Sequence, residues 1–379
     1  MADQYPTHRR TVSGVDYQVG LSGGGPDPEW DAFVAQNPGG HHGQTSLWGQ
    51  VKSASGWRAA QLVVTDQGRI VAGGQFLTRP ILLGARVGYV TKGPLCPSDN
   101  PALADLVIDE LLLACRAHHV GFLVIQPPRN GELVARQLAQ RGFGPGWIEL
   151  APTATVLIDL IPDAEEILAR MKRQTRQNIR RGEQRGIQVR EGQESDLPAF
   201  HRLYAATNER YGTRPYSEQY FAEMWHILEP HGLLKLFLAT HDAEPVSALL
   251  TIPFGDTVVA SKLGWSGLYG DSRPNEVLFW EAIRWARAQG YRVFDFEGID
   301  VEGAKAVLEG RPLPEALQET PTRFKLSFGG EVVLYPGPYD YIRHRLLRWM
   351  YNAVKPRLAA WSPAHQRLLS CVQGMQVAV

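Results

Sequence analysis

The chain has 379 residues, in which 39 Lys and Arg balance 39 Asp and Glu, and 44% of the residues are hydrophobic. At about 150 residues per domain this length predicts two domains with an extension. The balanced charge excludes a disordered tail protein and a globally basic nucleic-acid coat, so any affinity for polyanions must come from local segregation of charge.

Targeting and cysteine patterns predict a cytoplasmic protein without a metal. Residues 1–10 lack the apolar core of a signal peptide, and no run of about 18 predominantly apolar residues occurs. Cys96, Cys115 and Cys371 are widely spaced, which argues against disulfides and zinc. The adjacent His41 and His42 are expected to point to different faces of their element.

The first half of the chain predicts two short helices, then a hairpin, a strand, a helix and a strand. In chain order these elements are residues 28–34, 47–54, 61–64 with 70–76, 86–91, 101–119 and 122–125. A glycine, Gly121, ends the long helix.

The second half repeats this order. Its elements are a helix at 197–209, a hairpin of 234–239 with 247–252, a strand at 257–263, a helix opened by Pro274 and a strand beginning at Tyr291. Hairpin, strand, helix and strand in this order build an N-acetyltransferase core. We therefore expect an α/β (α+β) chain of two tandem acetyltransferase-like (GNAT) domains, the alternative being that generic α/β segments look alike.

The turn before the Pro274 helix lacks the closely spaced glycines that let bare backbone N–H groups hold a pyrophosphate. It reads Tyr-Gly-Asp-Ser-Arg-Pro-Asn over residues 269–275, and proline donates no N–H. We infer that the coenzyme A cradle is lost and that another activated acyl donor is required.

Residues 165–185 predict one basic helix. Its inward stripe is Ile167, Met171, Thr175 and Ile179, and its cations are Lys172, Arg173, Arg176, Arg180, Arg181 and Arg185. Two interpretations stay open: a phosphate-binding ridge, or a solvated surface helix.

No Asp or Glu follows Asp340, so the last segment of the chain is basic, and it also carries aromatic residues. Residues 341–368 could rest on an anionic membrane at its inner face, or could form a terminal helix packed on its domain.

Five strings, taken together, resemble the Fem family of aminoacyl-tRNA-dependent peptidyltransferases, which build the interpeptide bridge of peptidoglycan precursors. They are Gln44-x-Ser46-x-Trp48-Gly49-x-x-Lys52, Gly93-Pro94, Lys172-x-x-x-Arg176-x-x-Ile179-Arg180, Asp295-Phe296-x-Gly298 and Phe324-Lys325-x-x-Phe328-Gly329-Gly330-Glu331. Their order and spacing span about residues 40 to 345.

The resemblance implies two acetyltransferase-like domains. No long coiled-coil insertion separates the basic helix from Glu191 onward, so the chain looks like the compact members of the family. The expected precursor-binding domain is 1–153 plus 339–379, with the C-terminal segment returning to it, and the aminoacyl-tRNA side is 154–338. The expected donor is glycyl-, alanyl- or seryl-tRNA as co-substrate, with no other cofactor. The expected acceptor is the side-chain amine of the stem peptide on UDP-MurNAc-pentapeptide or a lipid-linked precursor.

The resemblance also assigns site residues. Lys325, positioned by Phe324, would be catalytic, unless this pair is an edge strand with an outward lysine. Asp295 and Glu297 are candidate bases. The residues expected to bind the precursor are Lys52, Arg214, Tyr216, Tyr220 and Trp48, with Arg210 near them. The residues expected to bind tRNA are Lys172, Arg173, Arg176, Arg180 and Arg181.

Two other functions stay open. One is an acyl-carrier- or acyl-CoA-dependent N-acyltransferase that modifies exopolysaccharide or lipid. The other is a non-catalytic RNA-binding or cell-wall scaffold protein.

Overall fold

The computed structural model describes residues 6–23, 25–81, 86–146, 148–344, 348, 349 and 351. Contacts divide the chain into two compact units, one of residues 1–153 with 335–379 and one of residues 154–334. Each unit is built on its own mixed sheet.

The first unit carries an eight-stranded sheet of order β1-β2-β3-β4-β5-β6-β15-β7. Its elements are β1 (His8–Val12), β2 (Val15–Ser22), α1 (Pro28–Gln36), α2 (Ser46–Ser53), β3 (Arg58–Asp66), β4 (Arg69–Pro80), β5 (Arg86–Thr91), α3 (Pro101–Ala117), β6 (Val120–Gln126), α4 (Glu132–Gln140), β7 (Gly144–Pro145) and β15 (Tyr339–Ile342). Strands β5 and β6 are parallel, and α3 connects them.

The second unit carries a seven-stranded sheet of order β14-β8-β13-β12-β11-β10-β9. Its elements are β8 (Ala154–Asp159), α5 (Ala164–Arg170), α6 (Arg173–Gln184), β9 (Gln188–Glu191), α7 (Leu197–Arg210), α8 (Glu218–Leu228), β10 (Lys235–His241), β11 (Glu244–Phe254), β12 (Thr257–Trp265), α9 (Pro274–Ala288), β13 (Val293–Asp295), α10 (Val301–Leu308), α11 (Pro321–Leu326) and β14 (Glu331–Leu334). Strands β12 and β13 are parallel, and α9 connects them.

The two units share one topology. In each, a hairpin and a third antiparallel strand lead through a helix to a parallel strand, and the parallel ladder ends at Thr91 with Gln126 in the first unit and at Val259 with Asp295 in the second. Strand β15 pairs with β6 and β7, so the C-terminal segment returns to the first sheet. The predicted architecture of two tandem acetyltransferase-like domains is confirmed.

The prediction of one continuous basic helix is wrong. The helix breaks after Arg170, where Met171 and Lys172 are extended, and resumes as α6. The backbone N–H of Lys172 and the hydroxyl of Thr175 both donate to the carbonyl oxygen of Ser327, at 2.9 and 3.1 Å. This carbonyl from the end of α11 occupies the break. The inward stripe is nevertheless buried as predicted, at Ile167, Met171, Thr175 and Ile179.

A buried glutamine network holds α2 against the first sheet. Gln44 has no exposed surface, and its Nε2 donates to the Thr91 carbonyl at 2.6 Å while its Oε1 accepts from the Gln75 N–H at 2.7 Å. Its own carbonyl accepts from Trp30 Nε1 at 2.6 Å. Ser46 bonds Asp31 through both its N–H and its hydroxyl. Gln44 and Ser46 of the first string therefore stabilise the fold.

Gln44→Ala is expected to lower the free energy of unfolding by about 2 to 5 kcal/mol, because it leaves the Gln75 N–H and the Thr91 carbonyl buried without their partner. Urea unfolding followed by tryptophan fluorescence measures the change. The matched control is Gln36→Ala at the exposed end of α1, which should stay within about 0.5 kcal/mol. Equal effects of the two substitutions would contradict this role for Gln44.

Candidate active site

Lys325 lies on the short helix α11 and reaches the loop after β13. Its Nζ donates to the carbonyl oxygens of Glu297 and Gly298, both at 2.6 Å. An ammonium has three N–H donors, so one remains for a substrate. The alternative of an edge strand with an outward lysine is wrong, since Lys325 is helical and partly buried.

The loop that accepts these hydrogen bonds is held by Asp295. Its Oδ1 accepts from the Thr155 hydroxyl at 2.5 Å and from the Glu297 N–H at 2.8 Å. Glu297 and Gly298 both have positive φ, at 44° and 83°, which turns the chain away from the sheet. Left-handed geometry at a glutamate costs about 1 kcal/mol or more and is maintained here by surrounding contacts.

Burial is the main cause that lowers the pKa of Lys325 to about 8; the carboxylates of Glu297 and Asp295 oppose this shift, and the positive charge of Lys262 adds to it. The ammonium form therefore titrates close to neutral pH. Lys262 lies on β12 and is itself buried. The site thus combines two lysines with two carboxylates.

Phe324 anchors α11 to the aromatic core of the second unit. Its ring centroid lies 5.4 Å from that of Phe279 and 5.2 Å from that of Phe328. Phe296, from the loop that bonds Lys325, lies 5.0 Å from both Phe279 and Phe328. The same ring cluster therefore holds both the helix that bears Lys325 and the loop that receives it.

Tyr204 on α7 lies within the electrostatic reach of Glu297, which the sequence did not indicate. It is 8% exposed, and burial raises its pKa to about 12, with the negative charge of Glu297 adding to that rise. Gly264 of β12 packs directly against the α7 backbone at Leu203 and Tyr204, where a Cβ would not fit. From the sequence alone, Gly264 does not identify Tyr204 as its neighbour, because the position of β12 against α7 is not known.

The expected precursor-binding residues fall in both units. Tyr216 and Tyr220 are only 7% and 8% exposed and stack on each other with centroids 4.3 Å apart, so little of either ring faces solvent. They pack against Phe221 in the α7–α8 core. Arg214 is exposed on the loop before α8, whereas Arg210 donates to the Trp265 carbonyl at 2.6 Å.

In the first unit, Trp48 and Lys52 lie one turn apart on α2, with the ammonium 4.9 Å from the indole centroid. His42 meets Trp48 edge-on at 4.9 Å, and His41 lies 4.0 Å from His42. The histidine rings therefore lie side by side, contrary to the expectation from alternation, because the chain turns into a short 3₁₀ helix there. Burial lowers the pKa of His41 well below its usual value.

The cations of the basic segment divide into two groups. Arg176 is half-buried and donates through one guanidinium nitrogen to the carbonyls of Ala169 and Met171, so it caps α5. Arg185 donates to the Asp271 carbonyl at 2.7 Å. The exposed cations without a side-chain partner in the described part of the chain are Lys172, Arg173, Arg180 and Arg181.

The N-terminus of α9 is poorly suited to a coenzyme A pyrophosphate. Pro274 occupies the first turn and donates no N–H, and Glu276 places a carboxylate there that accepts from Asn178 Nδ2 at 2.8 Å. Gly182 of α6 packs against the Ser272 carbonyl. The residues present therefore do not fit that cofactor.

Within the described residues, no helix is long and apolar enough to cross a membrane, and no three His, Cys, Asp or Glu side chains are grouped so as to hold a metal ion. Of the expected membrane-contact segment 341–368, only 341–344, 348, 349 and 351 lie within the described residues. The expectation for the rest falls outside them.

Comparisons with known proteins agree with the fold. The FemAB family model matches residues 26–139, and an acetyltransferase (GNAT) domain model matches residues 169–305. The chain is 23% identical to the lipid II:glycine glycyltransferase of Staphylococcus haemolyticus, over 87% of this chain and 94% of that protein. It is 22% identical to the Staphylococcus epidermidis protein of that name, over 86% and 94%.

Among solved structures, the crystal structure of FemX matches with a TM-score of 0.74 and 20% identity, covering 86% of this chain and 98% of that one. The likeness extends across both units and confirms the fold. Together with the family model and the relatives, it confirms the resemblance inferred from the sequence. The chain is therefore similar to the Fem family in its family-model match, its relatives and its fold, and these matches support an acyltransferase.

Proposed function

We propose that this protein transfers an amino acid, glycine, alanine or serine, from aminoacyl-tRNA to the side-chain amine of the stem peptide of a peptidoglycan precursor. Glycyl transfer in bridge synthesis is supported by the glycyltransferase relatives. The observation that carries the proposal is the partly buried ammonium of Lys325, held by two carbonyls beside two carboxylates.

The reaction is aminolysis of an ester. The lone pair of the neutral acceptor amine forms a C–N bond to the ester carbonyl carbon, and the π electrons move to the oxygen as an oxyanion. When that pair returns, the bond to the ribose oxygen breaks and the ribose oxygen takes up a proton. Counted from its ammonium form, the acceptor gives up two protons, one to the base before attack and one to the ribose oxygen, so the net products are an amide, free tRNA and one proton.

Lys325 would stabilise the oxyanion. Two of its N–H donors are used by the Glu297 and Gly298 carbonyls, which fix its position and leave the third for the substrate. A preorganised cation in a site of low polarity stabilises developing charge more than water does. Phe324 would keep this donor in place through its ring contacts.

Glu297 is the proposed base that takes the proton from the acceptor amine. An alkyl ammonium has an ordinary pKa of about 10.4 and must lose a proton before attack. Asp295 is the weaker candidate, because its Oδ1 already accepts two hydrogen bonds that shape the loop.

The cations of α6 would hold the tRNA. The four exposed cations, Lys172, Arg173, Arg180 and Arg181, lie on or just before a helix whose start bonds the Ser327 carbonyl, two residues beyond Lys325. A phosphate backbone bound there would run toward the catalytic lysine. The misfit of coenzyme A at α9 supports a tRNA donor over the acyl-CoA alternative.

For the acceptor, Trp48 and Lys52 of α2 and the exposed Arg214 are the proposed contacts to the sugar and diphosphate of the precursor. The relatives are named for lipid II, which favours a lipid-linked acceptor. We propose that transfer takes place in the cytoplasm, where aminoacyl-tRNA is made, with peripheral membrane contact through residues 341–368.

Lys325→Met is expected to lower kcat by about 10²- to 10³-fold, because the oxyanion loses its cation. The assay follows radiolabelled amino acid from aminoacyl-tRNA into UDP-MurNAc-pentapeptide or its lipid-linked form. Lys305→Met is the matched control, since Lys305 lies on α10 with its side chain 44% exposed and its ammonium pairs with Glu302. Transfer that occurs only from acyl-CoA or acyl-carrier substrates would refute the proposal.

The pH profile of transfer should fall as pH rises through about 8. The pKa of Lys325 is lowered to about 8, so the catalytic ammonium is present below that pH and is lost above it. Lys325→Arg keeps its charge throughout and should remove this alkaline limb. Single-turnover rates measured between about pH 6 and pH 10 test this, and an unchanged limb in the arginine variant would assign it to another group.

Arg180→Glu with Arg181→Glu should raise KM for aminoacyl-tRNA about tenfold or more and reduce the salt dependence of KM, with kcat little changed. Both side chains are exposed, so folding should be retained. Arg284→Glu with Arg311→Glu, also exposed, is the charge-matched control. Equal KM values for the two double variants would show that α6 is a solvated surface helix that does not bind the tRNA.

A further inference from the structure

Lys262 is a buried cation with few partners. It is 9% exposed, and its Nζ donates to the carbonyl of Ser261 at 3.0 Å. Across the residues that the structure describes, the side chain has no ion pair and no second hydrogen bond. Two of its three N–H donors are therefore unmatched.

A β-bulge determines which way Lys262 points. Strands β11 and β12 lose register between Leu250, which pairs with Lys262, and Thr251, which pairs with Ala260, so Ser261 is an extra residue. Before the bulge, Ala260 packs in the core beneath α9, and after it Leu263 does so. Without the extra residue Lys262 would point into that core.

The opposite face of β12 is the α7 side. Gly264 lies two residues after Lys262, beyond the bulge, so the two residues share one face of β12. Gly264 packs against the α7 backbone at Leu203 and Tyr204. Lys262 shares this face of the strand, and the negative charge of Glu297 acts on Tyr204 of the α7 that covers it. The bulge thus moves Lys262 from the core face of β12 to the face that α7 covers.

Lys262 also lies level with the catalytic loop. The parallel ladder of β12 and β13 ends at Val259 with Asp295. Lys262 and Gly298 are each three residues beyond that pair, and Gly298 is one of the two carbonyls that hold Lys325. The two strands no longer pair beyond Val259 and Asp295, and the charge of Lys262 acts on Lys325, whose pKa it helps to lower.

A buried ammonium with unmatched donors is costly, and a second cation beside it adds repulsion. Both costs are offset when a negative charge forms between the two groups. A neutral ester carbonyl does not supply that charge, whereas the oxyanion of the transfer reaction does, so the arrangement favours the transition state over bound substrate.

We propose that Lys262 is a second oxyanion-binding catalytic residue, which shares with Lys325 the negative charge on the ester carbonyl oxygen during aminoacyl transfer. This inference rests on the proposed function. When the amine attacks, the π pair moves to the oxygen between the two ammonium groups, and it returns to carbon as the ribose oxygen leaves.

Lys262→Met is expected to lower kcat about 100-fold with KM for both substrates within about twofold, as for the loss of one oxyanion donor. The thermal midpoint should not fall, because the substitution removes an under-bonded buried charge. The alkaline decline of the remaining activity should occur at a higher pH than in the wild type, because the charge of Lys262 no longer lowers the pKa of Lys325.

Two further substitutions separate charge from shape. Lys262→Arg keeps the cation and should retain at least about tenfold more activity than Lys262→Gln, which keeps only polarity. Ser261→Ala is the control for the bulge, since only the Ser261 carbonyl contacts Lys262. Equal activities of the arginine and glutamine variants, or a raised KM at unchanged kcat, would overturn the role.

The same assay distinguishes this inference from the function on which it rests. If wild type transfers label and Lys325→Met does not, but Lys262→Met does at the wild-type rate, the function stands and the inference fails. If wild type transfers nothing from any aminoacyl-tRNA, both fail.

Discussion

The hydrogen bonds from the Lys325 ammonium to two backbone carbonyls are the interaction on which the proposed chemistry depends. A partly buried lysine needs acceptors, and here they come from a loop forced into left-handed geometry at Glu297 and Gly298. That loop is held in turn by Asp295 and by the phenylalanine cluster. Catalysis would therefore be sensitive to packing several residues away from the substrate.

The duplication shows how one topology can serve structure in one half and chemistry in the other. Gln126 and Asp295 both end the parallel ladder of their sheet. The buried amide of Gln126 accepts from the N–H groups of Leu150 and Ala151 and donates to the Ala151 carbonyl, so all its polar atoms are used within the protein. Asp295 instead places a negative charge beside Lys325.

The family strings combine structural and functional positions. In the first string, Gln44, Ser46 and Gly49 pack inside the first unit, whereas Trp48 and Lys52 are more exposed. In the last string, Gly329 and Gly330 both have positive φ and lie where a Cβ would meet the backbone of α5 or β8. Such glycines end the helix of Lys325 and let β14 begin.

Much of the fold could be predicted from hydrophobic periodicity and from the positions of proline and glycine. The hairpins, the helices opened by Pro101 and Pro274, and the doubled order of elements follow from local patterns of apolar residues, proline and glycine. The short strands β8, β9 and β14 escaped prediction, because a few residues carry too little periodicity and their pairing is decided by distant partners.

Of the site, the sequence by itself determined the presence of Phe324, Lys325, Asp295 and Glu297 in recognisable strings, and the clustering of cations in residues 172–185. Only the tertiary structure decided which of these side chains remain available. Arg176 bonds the carbonyls at a helix break, and Tyr216 and Tyr220 are buried against each other. The sequence could not indicate either arrangement, because both depend on contacts across the fold. A single extra residue in β12 turns Lys262 away from the core, and no local sequence pattern predicts that register shift.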